Sequence, residues 1–111
     1  MNRSYPRSGF EVDSCQEGGD YIVRARGELD LAVSETFEAE LETALQSDAS
    51  AVLLDLRELT FIDSAGIRAL LIAVGRSEAN GRRLRVTRET SRAVQRSFDL
   101  TGIGERLPFS D

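Results

Sequence analysis

The 111-residue chain has no histidine, one cysteine and two prolines, and its 14 basic residues are all arginine, so lysine is missing too. Each absence removes a chemistry. Without histidine there is no imidazole for acid–base work, no phosphohistidine and no histidine metal ligand. The lone Cys15 cannot close an internal disulfide, and one thiolate cannot build a zinc site. Without lysine there is no Gly-x-x-x-x-Gly-Lys phosphate loop, so ATP is not held by that route. No apolar run approaches the ~18 residues that a membrane span needs. The first ten residues lack the apolar core of a signal peptide. The sequence therefore reads as cytoplasmic, with no membrane contact, no metal and no cofactor of its own.

What remains is a hydrophobic fraction of 41%, suited to one soluble core. Residues 1–9, with Pro6, read as a flexible leader. Residues 10–111 read as a single domain. Phe10, Val12 and Ser14 alternate toward one side, which predicts a strand over 10–15. Glu17-Gly18-Gly19-Asp20 is a turn signal, and 21–26 form the second arm of a hairpin. Ser34 is a candidate helix cap, and Val33, Phe37, Leu41 and Leu45 make an apolar stripe behind it. Ala51–Leu56 is apolar enough to predict a strand buried on both faces. Arg57–Ile62 is expected to carry the chain over the sheet end. A helix over 67–74 follows, with Ile67, Leu70, Leu71 and Val74 inward, and Asn80-Gly81 ends it. A short strand at 84–86 precedes a third helix capped by Ser91 and packed through Val94 and Phe98. Leu107-Pro108-Phe109 reads as a last edge strand. The order is β-β-α-β-α-β-α with a possible terminal β: an α/β mixed sheet of four to five strands, its crossovers right-handed.

Charge is unevenly spread. Residues 1–55 hold 12 acids and 4 arginines (−8), and residues 56–111 hold 7 acids and 10 arginines (+3), which together give the net −5. Glu35, Glu38, Glu40 and Glu42 share the first helix. Arg82, Arg83, Arg85, Arg88, Arg92 and Arg96 gather near the other end. The plain interpretation is two solvated faces; the sharper one is a patterned docking surface that sets association rate.

The most informative residues are Asp63-Ser64-Ala65-Gly66, which open the second helix. A helix N-terminus carries unpaired N–H groups and roughly half a positive charge, and it tolerates a phosphate. A serine there is a plausible phosphorylation switch. From the residues alone the plainer reading is a helix cap, by Ser64 or by Asp63. Asp63 could also orient the Ser64 hydroxyl or help position a phosphoryl donor. Thr60 is a lesser acceptor.

The segment Leu59–Gly66, together with Gly27-Glu28-Leu29-Asp30 and the Val94, Phe98, Thr101-Gly102-Ile103 stretch, resembles the anti-sigma factor antagonists, the single-domain bacterial form of the STAS fold. The resemblance spans about residues 10–109. It implies a STAS-like sheet and a regulatory binding protein rather than an enzyme. The unmodified chain would bind an anti-sigma factor that is also a GHKL-type serine kinase, releasing a sigma factor. Phosphorylation of Ser64 would end that binding, and a serine phosphatase would reset it. The resemblance places Gly27, Glu28, Asp30, Asp63, Ser64, Ala65, Gly66 and Arg68 on the partner surface. Relatives have a second serine where this chain has Ala65, so the acceptor is unambiguous. Gly66 is expected to leave a bare backbone for close approach to Ser64. The alternative within the family is a STAS subunit of a larger stressosome-like or lipid-transport assembly. A hydrolase using Ser64 lacks a general base. A nucleic-acid binder is opposed by the acidic total and by an aromatic content of 6%.

Overall fold

Along the middle of the chain the apolar positions change period. Val52, Leu54 and Leu56 are spaced by two, then Leu59 and Ile62 by three, and all five are buried. The computed structural model, which describes residues 9–81 and 83–110 and the backbone of 3–7, shows why. Ala51–Ile62 is one strand, β4, and its pairing with Asp20–Leu29, β3, slips twice. Arg24 faces Asp55 but Arg26 faces Glu58, and Gly27 faces Leu59 but Glu28 faces Phe61. Each slip is a bulge in β4 that lets the next apolar residue turn back to the core. The segment expected to leave the sheet at Arg57 therefore stays in it to Ile62.

The other elements are strands Arg3–Arg7 (β1), Phe10–Glu17 (β2), Leu84–Thr87 (β5) and Phe109–Ser110 (β6), and helices Ser34–Gln46 (α1), Ser64–Ala79 (α2) and Arg92–Thr101 (α3), with a 3₁₀ turn at Ile103–Glu105. They build a mixed α/β sheet of six strands in the order β1-β2-β3-β4-β5-β6. The first three strands are antiparallel, and β3 to β6 run parallel. Residues 1, 2 and 8 of the expected leader lie outside the described residues. Within it, Arg3–Arg7 pairs with β2 rather than hanging free. Pro6 is tolerated because β1 is an edge, and this strand makes six where four to five were expected. The last strand begins two residues later than expected, after Pro108, whose carbonyl accepts from the Val86 N–H at 3.0 Å.

One face of the sheet is buried through Phe10, Val12, Ser14, Tyr21, Val23, Ala25, Val52, Leu54, Leu84 and Val86. Phe37 and Leu41 of α1, Leu70 and Val74 of α2, and Val94 and Phe98 of α3 complete the same core. The three helices thus cover one face. On the other face Cys15, Ile22 and Leu53 are only half-buried, so the central strand is not buried on both faces as its apolar run suggested. The open face carries charge instead: Arg24, Arg26, Asp55 and Arg57 project there, and these need water or each other.

Ser34 does not cap α1. It is buried as the first helical residue and donates to the Leu31 carbonyl at 3.2 Å, with Val33 in the cap position. No side chain caps the helix; Asp30 Oδ1 accepts from the Ala32 N–H at 3.0 Å and closes the turn that precedes it. Ser91 does cap α3, accepting from the Val94 N–H at 3.2 Å. Glu40 is not on a solvated acidic face: it is 2% exposed, with the Ser14 hydroxyl donating to it.

Candidate functional site at the start of the second helix

The carboxyl ends of β3 and β4 lie side by side, with Leu29 opposite Ile62 and Glu28 opposite Phe61. This brings the loop after β3 against the start of α2. Asp63 joins the two. Its Oδ1 accepts from the Ala65 and Gly66 N–H groups at 2.9 and 3.1 Å, an N-cap. Its Oδ2 accepts from the Leu31 N–H at 3.2 Å. Its own N–H donates to the Leu29 carbonyl at 3.1 Å. With three N–H groups on its two oxygens, Asp63 is the N-cap of α2 and ties the Leu31 turn to it.

Ser64 follows as the first residue of α2 and is exposed. Among the described residues nothing hydrogen-bonds to its hydroxyl, and Asp63 rather than Ser64 closes the helix end. The oxygen is thus accessible and not committed to the fold. Thr60 is exposed as well, while Ser91 is occupied as a cap.

The other expected site residues separate by role. Glu28 is exposed, and its backbone N–H donates to the Gly9 carbonyl at 2.8 Å. Asp30 is half-buried and serves its own turn. Ala65 is half-buried and Arg68 is exposed one helical turn beyond Ser64. Gly27 has φ +89°, and a Cβ there would sit 2.0 Å from the Gly9 carbonyl oxygen, so the glycine is needed by the sheet. Gly66 is a correction. It is buried, and a Cβ would lie 2.7 Å from Ile62 Cγ1 and 2.8 Å from Leu29 Cγ. Its missing side chain lets α2 settle on the strand ends; it offers no surface to a partner.

Two side chains missed from the sequence belong to this place. Leu31 is 75% exposed and Phe61 45%. The register slips in β4 turn Phe61 out while Ile62 turns in.

The arginines of the expected cluster sit on more than one element. Arg83, Arg85, Arg88, Arg92 and Arg96 are exposed on β5, its flanks and α3, and Arg82 lies outside the described residues. Arg88 stacks over the Phe109 ring at 4.8 Å. Cys15 is no activated thiol, because burial and the Glu17 carboxylate push its pKa up. Among the described residues no group of acids and cysteine could hold a metal ion, and no helix is long and apolar enough to cross a membrane.

Comparison with known proteins agrees with this fold. An anti-sigma F factor antagonist of Paenibacillus polymyxa is 29% identical over 103 residues, covering 92% of this chain and 87% of that protein. An anti-sigma factor antagonist from Mycobacterium paratuberculosis superposes with TM-score 0.77 at 18% identity, over 98% of this chain and 85% of that one. The antagonist SpoIIAA in its unphosphorylated form gives TM-score 0.71 at 24% identity, over 92% and 88%. The Bacillus cell fate determinant SpoIIAA in its phosphorylated form gives 0.65 at 23%, over 92% and 91%. A family model described as "Mlab, STAS domain" matches residues 14–108, which is most of the chain, and the chain therefore belongs to the STAS domain family.

Proposed function

We propose that this chain is an anti-sigma factor antagonist whose affinity for its partner is set by phosphorylation of Ser64. The observation that carries the reading is an exposed hydroxyl without structural duties, held at a capped helix start beside Glu28, Asp30 and Arg68. The relatives named above are antagonists, and one of them exists in a phosphorylated form.

The partner is an anti-sigma factor that is also a serine kinase of the GHKL type and brings its own ATP and Mg²⁺. In the transfer, the Ser64 Oγ–P bond forms as the bond from the γ-phosphorus to the β,γ-bridging oxygen breaks, and ADP leaves. The hydroxyl proton passes to a base of the kinase, since Asp63 is already accepting three N–H groups. The chain supplies the acceptor and its placement, not catalysis. The same contact explains release. Ser64 must touch the γ-phosphate to react, so the product phosphoserine abuts the nucleotide's remaining phosphates. It adds about −1.5 to −2 charges and three oxygens where a hydroxyl had fitted. On this chain Asp63 already occupies the Ala65 and Gly66 N–H groups, leaving Arg68 as the nearby cation. Burying that charge unpaired is expensive. A cytoplasmic serine phosphatase completes the cycle.

Titration calorimetry of the purified kinase with three forms of the chain tests this. Wild type and Ser64→Ala bind, and Ser64→Asp binds at least ~100-fold more weakly, an ~3 kcal/mol difference. Equal affinities for the three forms would falsify the switch. Elution with the kinase as a large multi-subunit particle rather than a small complex would favour the stressosome-like or lipid-transport alternative.

A further inference from the structure

Three large apolar side chains among the described residues are openly exposed: Leu31 (75%), Phe61 (45%) and Leu100 (76%). Single exposed leucines are ordinary on soluble proteins. Two of these three, however, converge on one place. Leu31 is tethered through its N–H to Asp63, and Phe61 lies three residues before Ser64, opposite Glu28. Both positions are fixed by the backbone. Asp63 holds the Leu31 turn, and the second bulge of β4 turns Phe61 outward while Ile62 stays in the core. Leu100, by contrast, is on α3.

Resting on the function proposed above, we infer that Leu31 and Phe61 are the apolar anchors by which the kinase holds this chain while its active site reaches Ser64. The occupant this surface fits is an apolar depression on the kinase with a cation placed to meet Glu28. That cation follows from charge: Glu28 is exposed beside Phe61 and has no ion pair among the described residues, whereas the neighbouring Glu58 faces Arg26 at 3.4 Å. Rigid apolar side chains near the middle of a contact, ringed by polar groups, carry most of a typical interface's affinity. This pair is pre-placed, so little ordering is needed on binding. The arrangement also assigns separate tasks: the anchors set affinity for the unmodified chain, and Ser64 sets its dependence on phosphate.

The test is calorimetric titration of a purified anti-sigma factor kinase of the source organism that wild type binds, with Leu31→Ala, Phe61→Ala, Leu100→Ala and Ser64→Asp run side by side. Leu31→Ala and Phe61→Ala each weaken binding about tenfold or more. Leu100→Ala stays within about twofold, the range for an exposed residue outside the contact. Thermal melts check that all four are folded, which exposure of the changed side chains favours. If Leu31→Ala and Phe61→Ala both bind as wild type while Ser64→Asp does not, the anchors are refuted and the switch stands. If Ser64→Asp binds as wild type, the switch itself is refuted. If sedimentation shows that Leu31→Ala dissociates a dimer without altering kinase affinity, the patch joins two copies of this chain and the inference is overturned.

Discussion

The open face of the sheet and the Ser64 end of it are both polar and both charged, yet they are wired differently. On the open face the charges answer one another. Arg26 reaches Glu11 at 2.6 Å and Asp13 at 2.9 Å, Arg24 reaches Asp55 at 3.1 Å, and Arg57 reaches Asp55 at 2.8 Å. Burial by itself raises the Asp55 carboxyl, but hydrogen bonds from the Arg57 side chain and backbone and from Arg24 outweigh it and hold the pKa at about 2. At the Ser64 end the opposite holds. Glu28 and Arg68 face solvent without ion pairs among the described residues, Ser64 has a free hydroxyl, and Leu31 and Phe61 stand exposed. A face whose polar groups are satisfied internally contributes to stability and has little left to offer; a face left unsatisfied is available to a partner.

The comparison can be broken from either side. The largest effect on stability is expected at the support beneath the site. Gly27→Ala would force a Cβ against the Gly9 carbonyl at a positive φ, costing about 3 kcal/mol or more in denaturant melts. Next, Asp55→Asn removes the centre of the open-face network. The folded pKa of Asp55 is lowered from 3.8 to about 2, so its contribution is present above pH ~4 and lost as the pH falls through about 2. The variant should be less stable by about 2 kcal/mol at pH 7, and the gap should narrow to about a few tenths of a kcal/mol near pH 2, where the folded carboxyl is half protonated. Its kinase affinity should match wild type, because Asp55 pairs opposite Arg24, several residues along the strands from the Ser64 end. Asp63→Ala crosses the divide. Loss of an N-cap costs about 1 kcal/mol, and release of the Leu31 turn weakens kinase binding several-fold more than that stability loss accounts for. The smallest effect is at the rim, where Glu28→Gln leaves stability within about 0.5 kcal/mol. It slows association modestly and flattens its salt dependence, as stopped-flow mixing would show.

Much of this was legible in the residues because local signals and long-range packing agreed. The β2–β3 hairpin follows from alternation and a Gly18-Gly19 turn, and Asp63-Ser64 marks a helix start by capping chemistry alone. Four features were not legible, each for a physical reason. The bulges of β4 are a property of its pairing with β3, so the exposure of Phe61 cannot be read from β4 by itself. Gly66 looks like a gap left for a partner, but the atoms that fill it belong to Leu29 and Ile62 of two different strands. The charged open face was masked by the apolar run from Ala51 to Leu54, where Asp55 is the sole polar sign that one side meets water. β1 was missed because Pro6 and a polar sequence argue against a strand, and only an edge position accommodates them.

All of these threads meet at one oxygen. Mass spectrometry of the chain after incubation with the cognate kinase and ATP tests it most directly. The account predicts a single added phosphate, mapped to Ser64 and absent from Ser64→Ala, whereas phosphate on Thr60 or Ser91, or persisting in Ser64→Ala, contradicts it.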